Sequence, residues 1–97
     1  MTIPYLPTET MTEAYAMLDL IYASGLQWND RSRDQATRAM RYDHEWRGRA
    51  FYRHRELGIL TCGITDILIE RDGMTPIKAN SPHHFIALVR EINRRKS

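Results

Sequence analysis

Apolar positions change their spacing several times along this chain, and each spacing predicts an element. Residues 1–9 set Ile3, Tyr5 and Leu6 between Pro4 and Pro7, which predicts an extended segment laid on the body of the fold. From there the period turns helical. Met11, Tyr15, Leu18, Ile21 and Tyr22 recur every three or four residues, as the buried stripe of a helix does. Thr10 or Thr12 can cap that helix, and Glu13 stands three residues after Thr10, the spacing of a capping box. Gly25 ends it after about Ser24. Gln27-Trp28-Asn29-Asp30 reads as a loop whose tryptophan is either a lid over the core or an anchor for a partner, and its apolar bulk with Leu26 nearby favours the lid. A second helix is expected from Ser32, capped with Gln35 three residues on. It carries Ala36, Ala39, Met40 and Trp46 and reaches at least Glu45.

Residues 47–58 satisfy two patterns. Arg41/Glu45 and Glu45/Arg49 have the four-residue spacing of helical ion pairs and would carry the helix onward. Gly48 weakens a helix interior, and Ala50-Phe51-Tyr52 can begin a strand, so the helix is expected to break near Gly48. Further on, Ile64 and Ile67–Ile69, the turn pair Asp72-Gly73 and the run Met74–Ala79 predict a β-hairpin over 66–79. Pro76, which lacks a ladder donor, places the return strand at a sheet edge. Ser81 caps a last helix with Pro82 at its first position, and Phe85, Leu88, Val89 and Ile92 form its apolar face. The fold class is therefore α+β: two N-terminal helices, a central β-hairpin or small antiparallel sheet, and a C-terminal helix, in one domain over residues 1–97.

Composition changes this picture little, but charge order changes it more. The chain is 42% apolar and 27% charged, which is globular material, and it has no apolar run near the ~20 residues of a membrane span. A secretory signal is not visible, and one cysteine excludes an intramolecular disulfide, so the expected compartment is the cytoplasm. Residues 1–30 hold Glu9, Glu13, Asp19 and Asp30 with no basic residue. Residues 31–55 carry eight arginines against Asp34, Asp43 and Glu45. Residues 77–97 are basic again through Lys78, Arg90, Arg94, Arg95 and Lys96, with only Glu91 opposed, although the whole chain nets +2. Arginine outnumbers lysine 12 to 2, and its planar fork of donors stacks on aromatic faces and is cheaper to desolvate than an ammonium.

Arginines interleaved with aromatics are the composition of interface anchors. Arg38, Arg41, Trp46, Arg47, Arg49, Tyr52 and Arg53 are the candidate partner-binding residues, with a protein as the expected partner. The alternative is a nucleic-acid-binding regulator using the same arginines on phosphates, against which the threaded carboxylates and the acidic first thirty residues count. A helix-turn-helix around Gly58 or Gly63 lacks the small residue before its turn glycine, where His54 and Ile59 stand. Segments of opposite sign also permit association of two copies.

Chemistry is sparsely encoded. His83-His84 is the only close histidine pair, adjacent helical positions diverge by about 100°, and no CxxC or HxxxH spacing occurs. No metal or cofactor is expected. Cys62 could be written with His54 or His44 as a thiol–imidazole pair, but it sits in the largely apolar stretch 59–64 and is expected to be a buried, inert thiol. Glycine-rich phosphate loops, GxSxG, HExxH and paired carboxylates are all missing. The sequence thus points to a non-enzymatic modulator or inhibitor that binds another protein.

Overall fold

The structure, a computed structural model, describes residues 2–29, 48–54, 58–69 and 73–96. Along them run β1 (Thr2–Pro7), α1 (Met11–Ser24), β2 (Arg49–His54), β3 (Gly58–Gly63), α2 (Ile64–Ile69), β4 (Thr75–Lys78) and α3 (Pro82–Lys96). The class is α+β, with a mixed sheet in the order β3-β2-β1-β4. One N-terminal and one C-terminal helix, with the short α2 between them, are the helices of the described chain. The helix expected over Ser32–Glu45 lies outside the described residues.

The N-terminal segment is extended, and it forms an interior strand. β1 pairs antiparallel with β2 through Tyr5–Pro7 and parallel with β4 through Thr2–Tyr5, so its two ladders are offset along the strand. This offset accommodates both prolines. The Ala79 N–H donates to the Tyr5 carbonyl at 2.7 Å, so the backbone groups of Tyr5 face β4, and by alternation those of Pro7 do too. Pro7 lies beyond the last β4 pair. On the other side the Thr8 N–H donates to the Arg49 carbonyl at 3.3 Å, which turns the backbone of Leu6 and Pro4 toward β2, and Pro4 lies before that ladder begins. Neither missing N–H leaves a ladder bond unmade.

The expected hairpin over 66–79 is not formed. Residues 64–69 are α2, entered directly from β3, and the Ile64 N–H donates to the Gly48 carbonyl at 2.9 Å. The strand after Asp72-Gly73 does form, but it pairs with β1 in parallel instead of returning on its predecessor. It is an edge strand, as Pro76 requires. Alternation from Ala79 turns the Pro76 nitrogen outward, so the exposed edge offers one donor fewer to a passing strand.

The helix expected to break near Gly48 lies outside the described residues, but the strand expected after it forms: the chain enters β2 at Arg49, and Ala50, Phe51 and Tyr52 are all buried in it. Burial on both sides follows from two cores. On one sheet face Leu6, Phe51 and Ile59 meet Ala14, Met17 and Ile21 of α1 and Phe85, Ile86 and Val89 of α3. On the other, Ile3, Ala50 and Tyr52 meet Ile67 of α2, with Leu60, Cys62 and Ile64 packed around them. Cys62 is accordingly half-buried rather than enclosed, because only a six-residue helix covers its side. Its thiol donates to the Gly63 carbonyl at 3.3 Å.

Helix ends match their sequence signals. The Glu13 N–H donates to Thr10 Oγ1 at 3.2 Å, while the Glu13 carboxylate accepts the Glu9 N–H at 2.9 Å. The Ser81 hydroxyl accepts the His84 N–H at 3.1 Å, with Pro82 opening α3. The buried stripe of α1 differs from the expected one. Ala14 and Met17 join Ile21 against the sheet, and Tyr15 and Tyr22 are each 51% exposed. Small Ala14 admits close approach of helix to sheet, and rolling the helix this way turns both tyrosines partly out of the core.

Trp28 is the core lid the sequence favours. Its ring packs on Phe51 with centroids 5.7 Å apart, and its segment pairs with β3: Ile59 N–H donates to Gln27 O at 3.0 Å and Asn29 N–H to Ile59 O at 3.1 Å. That strap needs a glycine beneath it. At Gly58, φ is 85° and an added Cβ would lie 2.8 Å from the Gln27 carbonyl oxygen. Gly58→Ala is expected to destabilise the protein by about 2 kcal/mol or more in urea unfolding, from backbone strain plus the clash. Gly25→Ala, where φ is 71° and nothing lies within 4 Å, should cost only about 1 kcal/mol. Equal costs would contradict the strap.

Candidate interaction surface

Among the seven candidate residues, Arg38, Arg41, Trp46 and Arg47 lie outside the described residues. The other three share β2 and are engaged by the fold. Arg49, half-buried, donates through Nη2 to Thr61 Oγ1 at 3.3 Å and to the Thr61 carbonyl at 3.5 Å, which ties β2 to β3. Arg53 is only 8% exposed. Its Nε donates to Asn93 Oδ1 at 2.9 Å and its Nη1 to the His54 carbonyl at 3.4 Å, so it joins the sheet to the C-terminal half of α3. Burial pushes the Arg53 guanidinium below its usual pKa, while its hydrogen bonds retain the charge. Tyr52 is 4% exposed on the opposite face of the strand, edge-on to His54 at 6.3 Å. β2 therefore presents a seam of internal contacts. The periodicity of 49–53 could have shown this, since a strand buried on both faces points every one of its residues inward.

The pairs that could carry chemistry are dispersed. Cys62 stands opposite Ala50 and His54 opposite Gly58, so thiol and imidazole are four residues apart along one ladder, roughly 13 Å. His83 is exposed, and His84 Nδ1 accepts the Asn80 N–H at 2.9 Å. Among the described residues no group of three or more His, Cys, Asp or Glu is placed to hold a metal ion. No described helix is long and apolar enough to cross a membrane.

What the described surface does offer is the outer face of α1. At 100° per residue Tyr15, Asp19 and Tyr22 fall within one 60° sector. Both tyrosines are half-exposed, and Asp19, between them in sequence, is exposed. This sector lies on the flank away from α3. The α3 side of α1 is marked by Ser24, whose carbonyl accepts from Arg90 Nη2 at 3.4 Å, and by Glu13 and Ala16, which share a cleft with Ser81 and Pro82. Sequence reasoning missed the tyrosine flank because it spent both phenols on the core. The usable signal was Ala14, a better residue than a phenol for close contact with a sheet.

Comparisons with protein-family models, with curated proteins and with solved structures give no match to this chain. The surface itself carries the functional reading.

If Arg53 is a clamp, Asn93→Ala is expected to cost about 1–3 kcal/mol in denaturant unfolding, because it removes an acceptor from a buried charge. Tyr15→Ala and Tyr22→Ala, on an exposed flank, should stay within about 0.5 kcal/mol of the parent. The reverse ranking would contradict the placement of these side chains.

Proposed function

We propose that this chain is a small non-enzymatic modulator or inhibitor that acts by binding another protein, and that the Tyr15–Asp19–Tyr22 flank of α1 is part of its contact surface. One observation carries the reading: two tyrosines, each 51% exposed, stand one above the other on a helix whose other large apolar residues face the core. Tyrosine supplies broad contact area at low entropic cost, with a hydroxyl to satisfy at the rim, and is enriched in binding surfaces for that reason. Asp19 is the charged residue of this flank, so the partner surface that fits it carries a basic group opposite Asp19. The arginine and aromatic interface read from residues 31–55 stays part of the proposal through Arg38, Arg41, Trp46 and Arg47. Arg49, Tyr52 and Arg53 are committed to internal contacts and contribute by holding β2 in place.

The test is affinity capture with the parent chain, followed by titration of the purified partner against Tyr15→Ala, Tyr22→Ala and Asp19→Lys. Each variant is expected to weaken binding about tenfold or more, roughly 1.4 kcal/mol, with an unchanged melting temperature. Unchanged affinity in all three would remove α1 from the interface. Submicromolar binding of mixed-sequence duplex that weakens by orders of magnitude with salt would replace this reading with the nucleic-acid one.

A further inference from the structure

The cleft at the N-terminal ends of α1 and α3 is rich in hydrogen-bond acceptors and poor in donors. It lies where the end of β1 meets both helices, and its volume of about 310 Å³ is at the small end of ligand pockets. Pro7 and Pro82 stand in its wall, and neither has an N–H to offer. The N–H groups of Thr8, Glu13 and Asn80, also in the wall, already donate to the Arg49 carbonyl, Thr10 Oγ1 and His84 Nδ1. A helix N-terminus ordinarily attracts an anion through its free N–H groups. Here a proline at the start of α3 and the cap of α1 remove several of them, and exposed Glu9 offsets the positive end further.

Three acceptors stay unclaimed. Glu13 Oε2 accepts the Glu9 N–H, and no described residue bonds Oε1 or forms an ion pair with Glu13. The Pro7 carbonyl faces the β4 side beyond the last β4 pair, where no described N–H reaches it. The side-chain amide of Asn80 bonds no described residue and can turn its oxygen to a donor. Around these groups Leu6, Pro7, Ala16 and Pro82 supply hydrocarbon walls. A ligand that satisfies this cleft brings several N–H donors, a positive charge and an apolar body. A guanidinium on a short alkyl stem has all three, since its stem packs while its head pairs.

We propose that the cleft is a binding site for an alkylguanidinium, with the head against Glu13, the Pro7 carbonyl and Asn80 and the stem between Ala16 and Pro82. The site goes beyond the contact surface proposed above, because Glu13 and Ala16 lie on the edge of α1 turned toward α3 and Tyr15 and Tyr22 on the edge turned away.

Amide resonances of the full chain, titrated with butylguanidinium chloride at near-physiological salt, test it. Saturable shifts are expected at Glu13, Ala16 and Asn80, with a dissociation constant of about 1 mM, the range open to a ligand of this size. Butanol and butyrate, which keep the stem without the cation, should bind about tenfold or more weaker, and so should guanidinium without a stem. Glu13→Gln keeps an oxygen for the Glu9 N–H, so the cap of α1 survives, and it should weaken butylguanidinium about tenfold. Asp19→Asn, one turn beyond Ala16, should stay within about threefold of the parent, because solvent and salt screen a charge outside the cleft. Acetyl-arginine amide distinguishes the sources: similar affinity assigns the cleft to an arginine side chain of a peptide, and loss assigns it to a free alkylguanidine. No saturable shift up to tens of millimolar overturns the proposal. So does equal binding of butanol, butyrate or bare guanidinium, or an Asp19→Asn loss as large as that of Glu13→Gln. Tyr15→Ala should leave the butylguanidinium affinity unchanged, so loss of partner binding at the tyrosines and loss of this site read out separately.

Discussion

Two missing N–H groups set the arrangement of this fold. β1 is shared by an antiparallel and a parallel neighbour, yet Pro4 and Pro7 remove a donor on each side. The ladders answer by shifting apart, β4 pairing with the first part of the strand and β2 with the last. Parallel pairing with β4 has a geometric consequence. Each of the two parallel strands is followed by a helix on the same sheet face, so α1 and α3 lie side by side in one direction with both N-termini at one end. An antiparallel return, as a hairpin over 66–79 would give, would remove β4 from beside β1 and α3 from beside α1.

Chain order then becomes surface order. The acidic opening of the sequence supplies Glu9 and Glu13 at the helix N-termini and Asp19 on the outer face. The basic close of the sequence supplies the arginines at the far end of α3. Arginines that reach into the fold are used differently. Arg53 joins β2 to α3 through Asn93, and Arg49 joins β2 to β3 through Thr61. A guanidinium buried in this way is retained by its hydrogen bonds and gives up its role as a surface anchor.

Local signals read well from the sequence, and long-range ones did not. Thr10 with Glu13, Gly25, Ser81 with Pro82, and the strand that begins after Gly48 each depend on neighbours within four residues, and each was legible. The hairpin failed because Ile64 and Ile67–Ile69 are apolar enough for either a buried strand or a short helix, and length alone cannot decide between them. The partner of β4 is about seventy residues away, where no local pattern reports it. At the candidate surface, the tyrosines of α1 were assigned inward because their spacing fits a buried stripe. Spacing gives a face but not the roll of the helix about its axis, which Ala14 and Met17 decide by packing. Arg49, Tyr52 and Arg53 were assigned outward by composition, while the double-sided burial of β2 turns them inward.

Nuclear Overhauser contacts along the backbone test the central claim, that β1 joins β2 and β4 in offset ladders of opposite sense. The account expects antiparallel contacts pairing Leu6 with Phe51, parallel contacts pairing Ile3 and Tyr5 with the β4 residues opposite them, and helical i to i+3 contacts through 64–69. Cross-strand contacts joining 66–69 to 74–79 around Asp72-Gly73, with none between β1 and β4, would contradict it.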